Sequence, residues 1–208
     1  MEAEVRIPKV GKTVTHWGLE ALMILVSVGL AFGVAEYRDS RANHELATRV
    51  LRSLHEEIEH NLATLEPWQP YNATFRQQLA KADTSDSSKT AIDIYIGARP
   101  PLPAGSVVDT PVLRRGAWDA ALTTGALRLI DYDVVAALSE IYQMQDLHNG
   151  NVGRQVAAGH AAISFDPANR VAVFRQLVAG QRELAYSEAL LINVYRQHLP
   201  AIRAAAAH

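Results

Sequence analysis

The sequence predicts an all-α protein: one N-terminal transmembrane helix continuous with a long stalk helix, followed by an antiparallel helical bundle. Three observations predict this architecture. Residues 17–35 (WGLEALMILVSVGLAFGVA) form a nineteen-residue apolar run with a single charge, Glu20. Apolar residues then recur every three or four positions in later segments, which is the period of a helix with one buried face. Residues that start or stop helices separate those segments.

The apolar run is long enough to cross a bilayer as a helix. At about 1.5 Å of rise per residue it covers roughly the 30 Å of the hydrocarbon core. Trp17 and Tyr37 flank it, and aromatic rings with a polar tip favour the two membrane interfaces. A cleavable signal peptide, cut near Ala31-Phe32-Gly33, is the alternative. We expect a retained span, because the run is longer than a usual signal-peptide core.

Composition restricts the class of partner. The 208 residues carry a formal net charge of -2 and contain no basic run, so we expect no nucleic-acid partner. Cysteine is absent, which excludes disulfides and thiolate chemistry. Basic residues are nearly balanced across the span, and a short basic tail before a long domain favours a bacterial inner-membrane protein with a periplasmic domain. The expected partner is the lipid bilayer.

The first half of the chain predicts a tail, a span and a stalk. Residues 1–16 are expected to be an unstructured tail, 17–35 the transmembrane helix and 36–66 the stalk helix, ended by Pro67. The stalk carries apolar residues and one asparagine at the spacing of a coiled-coil seam. These are Leu51, Leu54, Ile58, Asn61 and Leu65. The stripe is either a seam for self-association or a face that packs on the chain's own later helices.

Residues 67–105 predict a short helix and a flexible connection. The helix is expected over 71–82, with Phe75 and Leu79 facing inward, and the polar run 83–89 is expected to be a loop. Residues 91–96 alternate isoleucine with polar side chains, so a short strand and a helical turn both fit. An extended linker follows at 99–105.

Residues 106–200 predict the bundle domain, and 201–208 an alanine-rich tail. Thr110-Pro111 is expected to start a helix over 112–124 that Gly125 stops. Asp131 is expected to cap the next helix, which reaches about residue 148, bends at 149–153 and continues to 163. The last helix is expected to start at Asp166-Pro167 and to end at residue 198, before Pro200.

The span, the stalk and the middle of the domain resemble a broad family of uncharacterised bacterial single-span membrane proteins. The resemblance depends on Glu20 in a small-residue span, on the stalk stripe with Glu57, and on residues 117–127 (AWDAALTTGAL). In that last stretch a tryptophan helix closes at a small-Gly-x-Leu turn. The resemblance implies a membrane location and helices that associate, but it implies no reaction and no cofactor.

Glu20 is the sharpest single candidate site. An ionisable group inside a span is costly and marks a functional position by default. In an oligomer, Glu20 would line a cation path or bond between helices, with Gly29 and Gly33 as a close-packing face. The alternative is that its carboxylate, about one turn inside the span, reaches the headgroups by snorkelling.

Other candidates have simpler interpretations. His55 and His60 lie among glutamates, and they are weak candidates for a metal site; a solvated helix face with imidazole–carboxylate pairs is the stronger interpretation. Trp118 is expected to anchor the core and not to line a binding site. We find no phosphate loop, nucleophile elbow or HExxH motif. The sequence therefore predicts no enzyme, no metal and no cofactor.

Three functions follow from these patterns. The first is a self-associating scaffold, or an accessory subunit of an envelope complex that binds another membrane protein. The second is an oligomeric ion channel with a Glu20 ring in the pore. The third is a sensor whose helical domain binds a small ligand. The subunit count of the solubilised protein and its co-purifying proteins would separate them.

Overall fold

The computed structural model describes residues 11–106 and 110–207. It confirms the all-α fold class: these residues are 83% helical and include no strand. The helices are α1 (Gly11–Leu65), α2 (Trp68–Lys81), α3 (Ala91–Gly97), α4 (Gly116–Thr124), α5 (Tyr132–His160) and α6 (Arg170–Ala206). Short 3-10 turns span Ala126–Leu129, Ala162–Phe165 and Pro167–Asn169. The chain divides into two compact units, Met1–Leu46 and Ala47–His208.

The first unit contains one helix that is long and apolar enough to cross a membrane. Its large apolar side chains between Leu19 and Val34 are 47–72% exposed. Of the predicted N-terminal tail, residues 11–16 belong to α1, and residues 1–10 lie outside the described residues. This unit therefore leaves an apolar surface that only lipid or another apolar surface can shield from water.

The second unit is a helical bundle that starts at Ala47, within the segment predicted as stalk. Its larger core cluster joins α1, α4, α5 and α6, and its smaller cluster joins α2, α3 and α6. Helices α5 and α6 are antiparallel, because residues later in α5 contact residues earlier in α6. The pairs are Glu140–His198, Gln145–Tyr195, His148–Ser187 and Gln155–Leu177.

The stripe predicted as an oligomer seam lies in the core of the bundle. Leu51, Leu54, Ile58, Asn61 and Leu65 are all buried within this one chain. The alternative interpretation, packing on the chain's own later helices, is therefore the correct one. A seam that already contacts α4, α5 and α6 is not available to a second copy of this fold. Coiled-coil spacing alone does not distinguish these two cases, since both bury the same face of a helix.

Helix α4 begins later than its local signals predict. Thr110-Pro111 does not start it; residues 111–115 are not helical, and the helix begins at Gly116 after Arg115. The side chain of Asn61 accepts from the Arg114 N–H at 2.7 Å and donates to the Arg114 carbonyl at 2.8 Å. This pairing holds the backbone in a non-helical conformation, so a distant side chain overrides the local start signal. Gly125 ends the helix with a φ of 69°, as predicted.

The structure also decides three other predictions about secondary structure. Residues 91–97 form helix α3, started by a capping box between Thr90 and Asp93. Helix α5 starts at its predicted cap, Asp131, but runs without a break through 149–153. Helix α6 continues through Pro200 to Ala206, because Ile202 is fully buried beyond the proline and offsets its cost to the helix. The predicted alanine-rich tail is therefore largely helical.

Candidate functional site

A cavity of about 370 Å³ lies inside the second unit, where α2, α3, α5 and α6 face one another. This volume is within the range of small-molecule sites. The apolar lining includes Trp68, Tyr71, Phe75, Ile92, Tyr95, Ile96, Val152, Val156, Phe165 and Leu184. The polar lining includes Asn72, Arg99, His148, Gln155, His160, Gln181 and Glu188. An apolar cavity with a few convergent polar groups is the usual form of a ligand site.

A one-directional chain of hydrogen bonds runs along the cavity wall. Gln155 Nε2 donates to the Tyr95 hydroxyl at 2.7 Å, and that hydroxyl donates to Gln181 Oε1 at 2.8 Å. Gln181 Nε2 then donates to Asn72 Oδ1 at 2.8 Å. Asn72 Nδ2 donates to Glu188 Oε2 at 2.9 Å. Every donor points towards Glu188, which is the terminal acceptor, and such chains polarise their members in one direction.

Glu188 is the buried acid at the end of this chain. It is 2% exposed, and burial raises the pKa of its carboxyl to about 7, which the hydrogen bond from Asn72 only partly opposes. Its carboxyl is therefore divided between neutral and ionised forms near neutral pH. A buried carboxyl of this kind, in a cavity, is typical of functional sites.

His148 is a second buried polar residue in the cavity lining. Its Nδ1 lies 3.2 Å from the Ser187 hydroxyl, which already donates its only hydrogen to the Leu184 carbonyl. With the hydroxyl in this orientation, Nδ1 carries the imidazole hydrogen and Nε2 has the free lone pair. Nε2 is buried and has no hydrogen-bond partner among the described residues. Burial also lowers the pKa of His148 to about 4, so the ring is neutral at physiological pH.

Aromatic rings form much of the remaining wall. Tyr71 contacts Trp68 and Phe75, with ring centroids 5.1 and 5.9 Å apart, and Phe75 lies 5.1 Å from Tyr95. Burial raises the pKa of Tyr95 to about 12, so its hydroxyl keeps its hydrogen. Arg99 lies over the ring of Tyr95, 5.7 Å from its centroid. The wall thus combines flat π surfaces with the acceptors of Glu188 and His148.

A second buried network has a structural role. Glu57 accepts hydrogen bonds from the N–H groups of Ala117 and Trp118, at 2.8 and 3.4 Å, and from the Tyr142 hydroxyl at 2.7 Å. The two N–H groups lie in the first turn of α4, so a carboxylate on α1 caps that helix. Asn61 adds the pairing with Arg114 described above. These contacts hold α4 on the core and lie outside the cavity lining.

The structure places the residues predicted as sites in different environments. Trp118 is 6% exposed and stacks on Tyr142 with centroids 4.6 Å apart, in agreement with a core anchor. His55 Nε2 lies 3.5 Å from Glu59 Oε1, and His60 is exposed. Among the described residues no three His, Cys, Asp or Glu side chains are grouped to hold a metal ion.

Within the span, Glu20 is exposed, and a Cβ added at Gly29 or Gly33 would meet no atom within 4 Å. None of these three residues lies in the second unit, so none of them lines the cavity. Their proposed roles in assembly or permeation stay predictions.

The sequence contains one signal for the cavity residues, which is the presence of polar residues on an apolar helix stripe. Gln181 and Glu188 lie on the apolar stripe of the last helix, in step with leucines and phenylalanine. A polar residue on a buried stripe is costly unless it has a partner. Asn72 stands out in the sequence only as part of a short glycosylation sequon, Asn72-Ala73-Thr74, whereas its side chain is buried and bonded to Glu188. The partners lie on different helices, which no local pattern connects.

Comparison with known proteins adds no relative. No protein-family model, no curated protein and no solved structure matches this chain. The resemblance to single-span bacterial proteins therefore stays a prediction, and the functional inference depends on the site itself.

We expect Glu188→Gln to stabilise the chain at pH 8 and to leave its stability almost unchanged at pH 4.5. Between pH 4.5 and about 7 the folded chain holds a proton on Glu188 that the unfolded chain releases, so the free energy of unfolding falls as pH rises. Ionised Glu188 therefore costs about 3 kcal/mol above pH 7. His148 acts in the opposite direction: its lowered pKa makes stability rise with pH between about 4 and 6.5.

Denaturant unfolding of the wild type and of Glu188→Gln at pH 4.5 and pH 8 measures this effect. Glutamine can still accept the bond from Asn72, so packing and hydrogen bonding are kept while the charge is removed. Equal free energies of unfolding at pH 8 would show that Glu188 is not buried as described.

Proposed function

We propose that the chain is a single-pass membrane protein whose helical domain binds a small organic molecule inside the bundle. The observation that carries the proposal is the cavity of about 370 Å³, whose lining includes aromatic side chains and the buried acid Glu188 at the end of a hydrogen-bond chain. Buried polar groups in native proteins are almost always hydrogen-bonded. A ligand that donates to Glu188 from the cavity would add a partner to its carboxyl.

The exposed apolar run of α1 supports the membrane part of the proposal. Residues in this region have a mean hydropathy of 1.9 over eighteen positions, and none of this window is buried in the fold. A bacterial inner-membrane location with the bundle in the periplasm is the topology proposed from the charges around the span. The bundle would then sample small molecules outside the cytoplasm, as a ligand sensor or a binding subunit of an envelope complex.

A pair of tryptophan substitutions on α5 tests ligand binding. Val156 and Leu147 are both 47% exposed, and only Val156 lines the cavity. We expect Val156→Trp to fill the cavity and abolish binding, and Leu147→Trp to leave binding unchanged. Titration calorimetry of the full chain in lipid nanodiscs measures this, with 2-phenylethylamine, 2-phenylethanol and 3-phenylpropionate as water-soluble probes. Failure of all three probes to bind, or equal binding by both variants, would contradict the proposal.

Self-association through the span is the second candidate, and Glu20 tests it. We expect Glu20→Gln and Glu20→Leu to insert into membranes like the wild type, because a carboxyl about one turn from the interface costs little to insert. If Glu20 bonds between helices, only Glu20→Leu shifts the oligomer distribution on native gels. If it lines a pore, Glu20→Gln alone changes cation flux into liposomes. Wild-type behaviour of both variants in both assays would show that Glu20 only snorkels.

A further inference from the structure

We propose that the cavity selects an organic cation of the amine class: a protonated primary or secondary amine on an apolar or aromatic body. This inference rests on the proposed function and names its ligand. The evidence is the combination of a buried acid in the cavity lining, a hydrogen-bond chain aimed at it, and aromatic side chains in the same lining.

The acceptors determine what the polar end of the ligand must carry. With the Ser187 hydroxyl donating to Leu184 and accepting from Nδ1, His148 Nε2 has a lone pair and no hydrogen. The carboxylate of Glu188 only accepts once it is ionised, and Asn72 occupies its Oε2 atom. A ligand that pairs with the Glu188 carboxylate needs at least one N–H or O–H donor at its polar end. A primary ammonium group has three donors on one nitrogen.

The charge of the ligand follows from Glu188. The donors of Gln155, Tyr95, Gln181 and Asn72 are all directed along the chain towards its carboxyl, which favours the ionised form. Desolvation opposes ionisation in the absence of a counter-charge. An ammonium group beside Glu188 supplies that counter-charge. Its attraction to the carboxylate and its hydrogen bonds offset the desolvation cost of ionising Glu188.

The walls favour a cation with an apolar body. Trp68, Tyr71, Phe75 and Phe165 line the cavity with π faces or edges, and cations are attracted to the faces of such rings. Arg99 already uses Tyr95 in this way at the rim, with its guanidinium 5.7 Å from the ring centroid. Arg99 also makes a carboxylate ligand the main competitor for the cavity, so the experiment includes one.

Binding should depend on pH through Glu188. Among the described residues, the other titratable or charged groups that line the cavity are Tyr71, Asp93, Tyr95, Arg99, His148 and His160. An alkylamine keeps its proton up to about pH 10. His148 is neutral and Tyr95 holds its hydrogen between pH 6 and 8. An amine that binds below pH 7 must therefore displace a proton from Glu188 to solvent, and its affinity should fall as pH falls, approaching about tenfold per pH unit below the pKa of Glu188.

The experiment is titration calorimetry of the full chain in nanodiscs with three probes that share a phenylethyl group. We expect 2-phenylethylamine to bind at least about tenfold more tightly at pH 8 than 2-phenylethanol or 3-phenylpropionate, as one retained ion pair would give. Glu188→Gln should remove that preference and the pH dependence, while leaving the alcohol's affinity unchanged. Glu183→Gln is the control, since Glu183 lies on the same helix, is exposed and does not line the cavity; this variant should keep the amine preference and the pH dependence.

The outcomes distinguish the proposal that the cavity binds a ligand from the proposal that this ligand is an amine. Tighter binding of the alcohol or the carboxylate, or an amine preference that survives in Glu188→Gln, overturns the amine class and leaves the cavity as a ligand site. Binding of no probe overturns both. Amine binding that Val156→Trp does not abolish places the amine outside the cavity and also overturns the inference.

Discussion

Glu57→Ala is expected to destabilise the bundle by about 3–5 kcal/mol, because it leaves two buried donors and one part-buried donor without their acceptor. The donors are the N–H groups of Ala117 and Trp118 and the hydroxyl of Tyr142. Glu57 is 7% exposed, so water does not readily replace the lost carboxylate. In thermal unfolding of a unit of this size, such a loss lowers the Tm by roughly 6–20 °C.

The neighbouring glutamate is the matched control for this prediction. Glu56 lies on the same helix and is exposed, so Glu56→Ala should change the free energy of unfolding by no more than about 0.5 kcal/mol. Tyr142→Phe should cost much less in the Glu57→Ala background than in the wild type, since its hydroxyl has already lost its partner. Similar melting temperatures for the two alanine variants would show that Glu57 does not cap α4.

Trp118→Ala is the second large effect, with an expected cost of about 3–5 kcal/mol for a buried aromatic side chain. The indole stacks on Tyr142 with an interplanar angle of 13° and belongs to the larger core cluster. Its removal leaves a cavity and an unstacked Tyr142. The free energy of unfolding, measured by thermal or denaturant unfolding monitored by circular dichroism, checks this prediction.

Trp17→Ala provides the comparison for Trp118. Trp17 is 69% exposed and lies in the first unit, so its removal should leave the unfolding of the second unit unchanged. Because Trp118 and Glu57 share Tyr142 as a neighbour, their effects should not add in the double variant. A wild-type melting temperature for Trp118→Ala would mean that the indole is not part of the core.

The sequence predicted the features of this fold that depend on neighbouring residues. The stop at Gly125 and the cap at Asp131 are encoded within a few residues of the helix ends, and both are confirmed. The start of α4 was predicted wrongly, because its cap is Glu57, about sixty positions earlier. Local signals carry no information about such a partner.

The candidate site was less predictable for the same physical reason. Its wall combines side chains from four helices, and the hydrogen-bond chain links residues as far apart as Asn72 and Glu188. Each polar residue taken alone resembles a helix surface position or a costly core position. Asn61 is a further example of this difficulty. Its spacing predicted a position at an oligomer seam, but its side chain forms hydrogen bonds with the backbone of Arg114 in the same chain.

The state of His148 tests most directly whether the cavity is the binding site. Nitrogen NMR of the labelled full chain, with the signals assigned by their loss in His148→Gln, reports which ring nitrogen carries the hydrogen. We expect protonated Nδ1 and unprotonated Nε2 in the ligand-free chain, and a saturable shift of the Nε2 signal as 2-phenylethylamine is added. A hydrogen on Nε2, or an Nε2 signal that does not move while calorimetry records binding, would contradict the assignment of this cavity as the ligand site.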